Sequence, residues 1–271
     1  MSLCIESLYV EEHGDADKPA LVLLHGWGMS SRVWQACLPR LSEHYRLLCV
    51  DLPGLGRSTW SDEQPYRLEA LADRIQAEIQ PRLDRAAIWL GWSLGGVVAA
   101  AIAERHPNCV ASLVTVATNP CFVQRDDWPA AMAPDTFDAF QASLEAQPAK
   151  TLNRFAMLQG QGDPQARALL KQLKPVIADL LEQPGLKLAE SLALLAEDYR
   201  DLFGRLQCPR LHLFAAEDAL VPEAVSREPL LDEHARVMDA VGHVPFLTAT
   251  GAFVCQLEQW LNAQITEAAN G

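Results

Sequence analysis

The chain is short of positive charge. Against 35 Asp and Glu it carries 22 Lys and Arg, a formal net charge of −13 over 271 residues. That balance argues against a nucleic acid or an anionic membrane as the main partner, because both are polyanions. No apolar run approaches the length of a membrane-spanning helix, about 20 residues. Met1-Ser2-Leu3-Cys4-Ile5-Glu6 lacks the basic region and apolar core of a signal peptide, so the cytoplasm is the expected compartment. The seven cysteines (Cys4, Cys37, Cys49, Cys109, Cys121, Cys208 and Cys255) are odd in number and scattered. They form neither a C-x-x-C pair nor a Cys/His metal spacing, and read as reduced, mostly buried thiols. No metal or other cofactor is expected. Internal repeats and low-complexity blocks are absent.

What is present is an ordinary globular apolar content, 49%, enough for one large α/β domain or a domain with an insertion. Residues 3–10 read as an edge strand and 11–19 as a polar turn. Leu21-Val22-Leu23-Leu24 is an unbroken apolar run, as expected of a strand covered on both faces, and Arg46-Leu47-Leu48-Cys49-Val50 reads as another buried strand. Residues 34–41 and 68–83 have helical spacing. A strand at 86–90, a helix at 97–105 and a strand at 111–117 continue the alternation, which implies a mostly parallel, doubly wound sheet. The rhythm breaks at Asn119-Pro120. Helices are expected at 134–146, 150–159, 165–174 and 186–196, the third opened by Asp163 as N-cap with Pro164 behind it. Strands return at 210–216 and 235–241, and a helix at 252–265 closes the chain. The reading is a sheet domain in two pieces, residues 1–119 and 207–271, with a helical cap inserted at 120–206.

The sequence is organised around Gly91-Trp92-Ser93-Leu94-Gly95, a G-x-S-x-G motif. Read alone it could be an ordinary turn. Its setting, between a buried strand and a helix, is that of a nucleophile elbow, with Ser93 lifted above the sheet and glycines flanking a strained turn. A Ser nucleophile needs a base and an acid to orient it, from loops at the carboxyl ends of parallel strands. The loop after 210–216 supplies Asp218, with Glu217 as its rival; the loop after 235–241 supplies His243. His234 precedes its strand, His212 lies within one, and His13, His44 and His106 fall in a turn or near helix ends. The chain order Ser93, Asp218, His243 is that of an α/β-hydrolase. Oxyanion donors are then the N–H groups of Leu94 and, from His25-Gly26-Trp27-Gly28, of Trp27. The loop at 51–58 reads as a structural turn.

These stretches make the chain resemble the α/β-hydrolases, and more closely the pimeloyl-[acyl-carrier protein] methyl ester esterases of biotin synthesis. Further support comes from Val50-Asp51-Leu52-Pro53-Gly54-Leu55-Gly56-Arg57-Ser58, Leu113-Val114-Thr115-Val116-Ala117, Asn119-Pro120-Cys121-Phe122, Asp127-Trp128-Pro129, Arg154-Phe155 and Leu158-Gln159. The likeness implies hydrolysis of pimeloyl-carrier-protein methyl ester by a monomer without a cofactor. It also implies a substrate pocket of Trp27, Ser93, Leu94, Phe155, Ala156, Met157, Leu158, Gln159 and His243. Carrier-protein docking is implied at Lys150, Arg154, Arg167 and Lys171, where two lysines stand in place of arginines and offer weaker bidentate pairing. Charge spacing points the same way: between Gln147 and Lys174 lie five basic residues and one acid, Asp163. Lys150/Arg154 and Arg167/Lys171 are each four apart and share a helix face. A solvated face is the plain alternative to docking. A general short-chain carboxylesterase, a carbon–carbon bond hydrolase, or a non-catalytic protein on this fold are the alternatives to the implied activity.

Overall fold

The computed structural model describes residues 7–270. Seven strands form one sheet: β1 (Val10–His13), β2 (Ala20–Leu24), β3 (Arg46–Val50), β4 (Ala87–Trp92), β5 (Val110–Val116), β6 (Arg210–Ala215) and β7 (Ala235–Met238). Their spatial order is β1-β3-β2-β4-β5-β6-β7. Only β1 runs antiparallel to its neighbour. Every residue of β2 and β4 is buried, which is why both read as continuous apolar runs. From β3 the chain jumps back across β2 to β4. The order therefore reverses between β2 and β4, and an open parallel sheet has its crevice outside the carboxyl ends at such a point.

Three helices precede the break in the rhythm: α1 (Leu38–Leu41), α2 (Leu68–Ile79) and α3 (Leu94–Arg105). α3 is buried continuously from Leu94 to Ala103. Its Gly, Ala and Val content lets it lie close against β4 and β5 while α2 covers it. Between β5 and β6 come α4 (Pro134–Ala146), α5 (Pro148–Gln159), α6 (Ala166–Leu181), α7 (Leu188–Ala193) and α8 (Arg200–Gly204). Pro134 and Pro148 open α4 and α5, where a missing N–H costs no helical bond. α9 (Pro245–Thr248) and α10 (Thr250–Asn270) end the described chain. Among the described residues no helix is long and apolar enough to cross a membrane.

Four elements depart from the expected boundaries. β1 lies at Val10–His13, not at 3–10, and residues 3–6 of that expectation fall outside the described part. Its Glu11 and Glu12 belong to the strand, with Glu12 bonded to Arg46 of β3 at 2.8 Å; such edge charges disguise a strand as a turn. α6 begins at Ala166 and runs on through Pro175, because Leu169, Leu173, Val176, Ile177 and Leu180 keep one buried stripe. β7 stops at Met238, two residues before Ala240 turns the chain with φ 54°. Residues 34–41 divide into a 3-10 turn, Ser31–Ala36, and α1.

Cys37, Cys49 and Cys121 are buried, Cys109 and Cys208 half-buried and Cys255 exposed, all as free thiols. Burial pushes the Cys37 and Cys49 thiols up to about 12. Cys4 lies outside the described residues.

Candidate active site

β4 ends at Trp92 and α3 begins at Leu94, so Ser93 alone makes the turn. It does so at φ 54° and ψ −119°, a conformation that costs a residue with a side chain about 1–3 kcal/mol. The turn is fixed from β5: Ser93 N–H donates to Val116 O at 2.9 Å, and Thr118 Oγ1 donates to Ser93 O at 3.2 Å. A Cβ at Gly91 would strike the carbonyl of Gly95, and one at Gly95 would strike the carbonyls of Leu24 and His25. Both contacts are with backbone, which cannot give way. Glycine is what lets strand and helix close on Ser93.

Asp218 follows β6 and His243 follows β7, at the same end of the sheet. Asp218 Oδ2 lies 2.7 Å from His243 Nδ1, with the two side chains 0% and 1% exposed. Asp218 Oδ1 accepts the N–H groups of Leu220 at 2.8 Å and Val221 at 3.0 Å. Three donors thus satisfy a buried carboxylate that has no cation beside it. The imidazole is held with Nδ1 to the acid, which leaves Nε2 as its basic nitrogen. Ser93 and His243 line one cavity. Glu217 is exposed, so Asp218 is the carboxylate that holds the imidazole. Of the other histidines, His106 pairs with Asp73 at 2.7 Å and His212 bonds Thr115 Oγ1 within the core at 2.7 Å.

Trp27 and Leu94 are buried beside Ser93. Among the described residues neither backbone N–H donates to a protein acceptor. Buried, unpaired N–H groups are rare unless something else is meant to meet them. The Trp27 loop is held by His25: its Nε2 accepts Leu52 N–H at 2.9 Å, so Nδ1 carries the proton and donates to Gly26 O at 2.8 Å. Burial keeps this imidazole below its ordinary value and therefore neutral. The loop at 51–58 thus supports the Trp27 loop as well as turning the chain.

The cavity is narrow in this structure, with about 20 Å³ of free space, so an acyl chain enters only as the lining side chains give way. Trp27, Ser93 and His243 line its lower side; Phe137, Phe140, Phe155 and Leu158 roof it. Trp27 joins the two parts. Its Nε1 donates to Leu188 O at 3.0 Å, and its ring meets Phe140 and Phe155 edge-on, with centroids 5.5 and 5.0 Å away. Helical periodicity splits the run from Phe155 to Gln159. Phe155 and Leu158 reach the cavity. Ala156 is buried behind them, and Met157 points outward, 56% exposed, so Met157 does not line the pocket. Gln159 is fully buried, and among the described residues neither of its amide atoms has a hydrogen-bond partner. Leu94 contributes backbone, not lining.

Lys150 and Arg154 on α5 and Arg167 and Lys171 on α6 are all exposed. Among the described residues none of the four forms an ion pair, and the two helices pack together. The outer face therefore presents unneutralised cations on a chain of net charge −13.

Two residues of the site escaped the sequence. Trp92, beside the nucleophile position, donates its indole N–H to His243 O at 2.9 Å. Asp163 does not cap α6. It is buried, and its Oδ2 accepts Gly242 N–H at 2.8 Å. Asp163-Pro164 has a purely local explanation in the sequence, which hid a contact to a residue far along the chain. Among the described residues no three His, Cys, Asp or Glu side chains converge as metal ligands would.

The alpha/beta hydrolase fold family model matches residues 19–250. A pimeloyl-[acyl-carrier protein] methyl ester esterase from Aeromonas hydrophila is 39% identical over 264 residues, covering 94% of this chain and 99% of that one. The enzyme of the same name from Pectobacterium carotovorum is 40% identical, covering 93% and 97%. The chain belongs to the pimeloyl-[acyl-carrier protein] methyl ester esterase family of α/β-hydrolases. An esterase from Exiguobacterium antarcticum superposes with a TM-score of 0.82 at 24% identity, over 94% of this chain and 95% of that one. At that identity it shows the shared fold. Ser93, Asp218 and His243 all follow strands at their carboxyl ends, where an open parallel sheet has its crevice.

Proposed function

We propose that the protein hydrolyses the methyl ester of pimeloyl-carrier protein, giving methanol and pimeloyl-carrier protein for biotin synthesis. The reading is carried by the Asp218–His243 hydrogen bond at 2.7 Å beside the strained Ser93 in one apolar cavity. Kinship with the named esterases supplies the substrate class.

In this mechanism His243, oriented by Asp218, takes the proton of Ser93 as its oxygen attacks the ester carbonyl. Trp27 N–H and Leu94 N–H hold the resulting oxyanion. His243 then gives the proton to the departing methoxide, releasing methanol. Water, deprotonated by the same imidazole, attacks the acyl-Ser93 ester; its hydroxyl joins the acyl group and the proton returns to Ser93. The product carboxylate leaves with the chain still joined to its carrier.

The substrate also holds a thioester, which must survive. Residues 120–206 act as a cap over the sheet formed by the rest, in this reading. A carrier docked on Lys150, Arg154, Arg167 and Lys171 feeds its acyl chain inward as a rod, with only the far end at Ser93. Chain methylenes gain about 0.8 kcal/mol each on burial in the apolar roof. An acidic carrier is steered to these cations and repelled elsewhere on the chain.

The test is turnover of pimeloyl-carrier-protein methyl ester by wild type and by a variant with all four cations neutralised. The variant is expected to raise KM for that substrate about tenfold or more, most at low salt, with a small aryl ester unaffected. Unchanged turnover of the carrier-linked substrate removes the docking face. Thioester cleavage as fast as ester cleavage removes the positioning of the chain. Inability to use the methyl ester at all removes the reading.

A further inference from the structure

The connector between α5 and α6, residues 160–165, grips the loops that carry the acid and the base. Asp163 is 6% exposed. Its Oδ2 accepts the N–H of Gly242, the residue before His243, at 2.8 Å; its Oδ1 accepts Gln165 N–H at 2.6 Å. Gln165 Nε2 donates to Thr248 O at 2.5 Å, at the last residue of α9 on the far side of His243. Gly162, at φ +88°, passes so close to the acid loop that a Cβ there would lie 2.6 Å from Glu217 O. The fit at Gly242 is close but less tight: a Cβ there would lie 3.0 Å from Asp163 Cβ.

Asp163 has no ion-pair partner among the described residues, and two backbone N–H groups are its only hydrogen-bond donors. As a helix cap it would need only the first. A buried carboxylate is costly unless each oxygen is met, and here one oxygen is met by the base loop. Trp92 Nε1 holds the same loop from below, through His243 O. The chain is therefore pinned on both sides of His243: at the Val241–Gly242 peptide from the α5–α6 connector, and at the peptide that follows the His243 Cα from β4.

We propose that Asp163 is a positioning residue for the reaction: through Gly242 N–H it sets where the His243 imidazole stands relative to Ser93. The inference rests on the reading of His243 as the base. It makes the helical segment that roofs the cavity also a support of the catalytic loop, instead of a cover alone.

The test compares Asp163→Ala, Asp163→Asn and Gln165→Ala, with His243→Ala as control, on a small aryl ester that needs no carrier. Active enzyme is counted by titration of Ser93 with a phosphonylating reagent. Asp163→Ala is expected to lower kcat about tenfold or more, since small misplacements of catalytic groups have large effects, with KM within about twofold. Asp163→Asn, which keeps one acceptor oxygen, recovers part of the loss. Gln165→Ala, which frees the connector from Thr248 and leaves Gly242 held, keeps kcat within about twofold.

The proposal is overturned if Asp163→Ala keeps kcat per active site. It is equally overturned if KM alone moves, or if Gln165→Ala loses as much kcat as Asp163→Ala. Should Asp163→Ala fail to fold, Asp163→Asn decides on the same measure: a kcat loss of about threefold or more at steady KM supports the role, and wild-type kcat removes it. Full activity in His243→Ala would sink the underlying reading instead, whatever the Asp163 variants do.

Discussion

Trp92 Nε1 and the carbonyl oxygen of His243 are 2.9 Å apart. The residue that precedes Ser93 in sequence is thus tied to His243, the base in the proposed mechanism, across 151 positions of chain. β4 delivers both Ser93 and the anchor for its partner, so their spacing is set by one strand.

Trp92→Phe keeps the ring contact with Phe246 and removes that hydrogen bond. The buried carbonyl of His243 loses its partner, at about 1–3 kcal/mol. The expected result is a kcat lowered about tenfold with KM nearly unchanged. Steady-state kinetics beside urea unfolding checks both parts. A stability loss with full kcat per folded molecule would show that the bond serves only the fold.

Ser93→Gly should be inactive and more stable than wild type. Glycine accepts the positive φ at position 93 without the side-chain penalty, and about 1 kcal/mol is expected to return. The midpoint of thermal unfolding should rise by about 2 °C. Ser93→Ala, equally inactive, keeps the side-chain penalty and should melt with wild type.

Asp218→Asn should lower kcat by about four orders of magnitude, because an amide cannot hold the required tautomer of His243. Glu217→Gln should change kcat by no more than about twofold, since its side chain is exposed and apart from the imidazole. Reversal of these two results would exchange their roles.

His212 makes stability depend on pH. It is buried between β5 and Phe203, and burial holds its imidazole down at about 3. The unfolded chain takes up a proton near pH 6.5 that the folded one refuses. Stability is therefore complete above pH 6.5 and falls as pH drops toward 3, by at most about 1.4 kcal/mol per unit for this group. His25 acts in the same direction. Urea unfolding from pH 8 to pH 5 should show a shallower slope in His212→Gln than in wild type. Equal slopes would assign the acid sensitivity elsewhere.

The sheet was legible because buried parallel strands must be apolar, as β2 and β4 are throughout and β3 is after Arg46. Ser93, Asp218 and His243 could be nominated because such groups must leave the same ends of parallel strands; position did not separate Asp218 from Glu217, and the choice came from the α/β-hydrolase pattern. Contacts from side chain to distant backbone carried no such signal. Asp163 looks like a helix start, and its link to Gly242 spans 79 positions. Short helices such as α9, four residues long, have too little periodicity to register. The run from Phe155 to Gln159 was read as a block, although a helix can turn only part of such a run to one side. Met157 accordingly faces solvent.

Trp27 belongs to two structures at once. Its main-chain N–H donates to no protein acceptor among the described residues. Its indole is fastened to Leu188 and wedged against Phe140 and Phe155. A change in how the roof helices pack is therefore felt in the loop beside Ser93, so a substitution in the roof reaches the floor of the cavity as well.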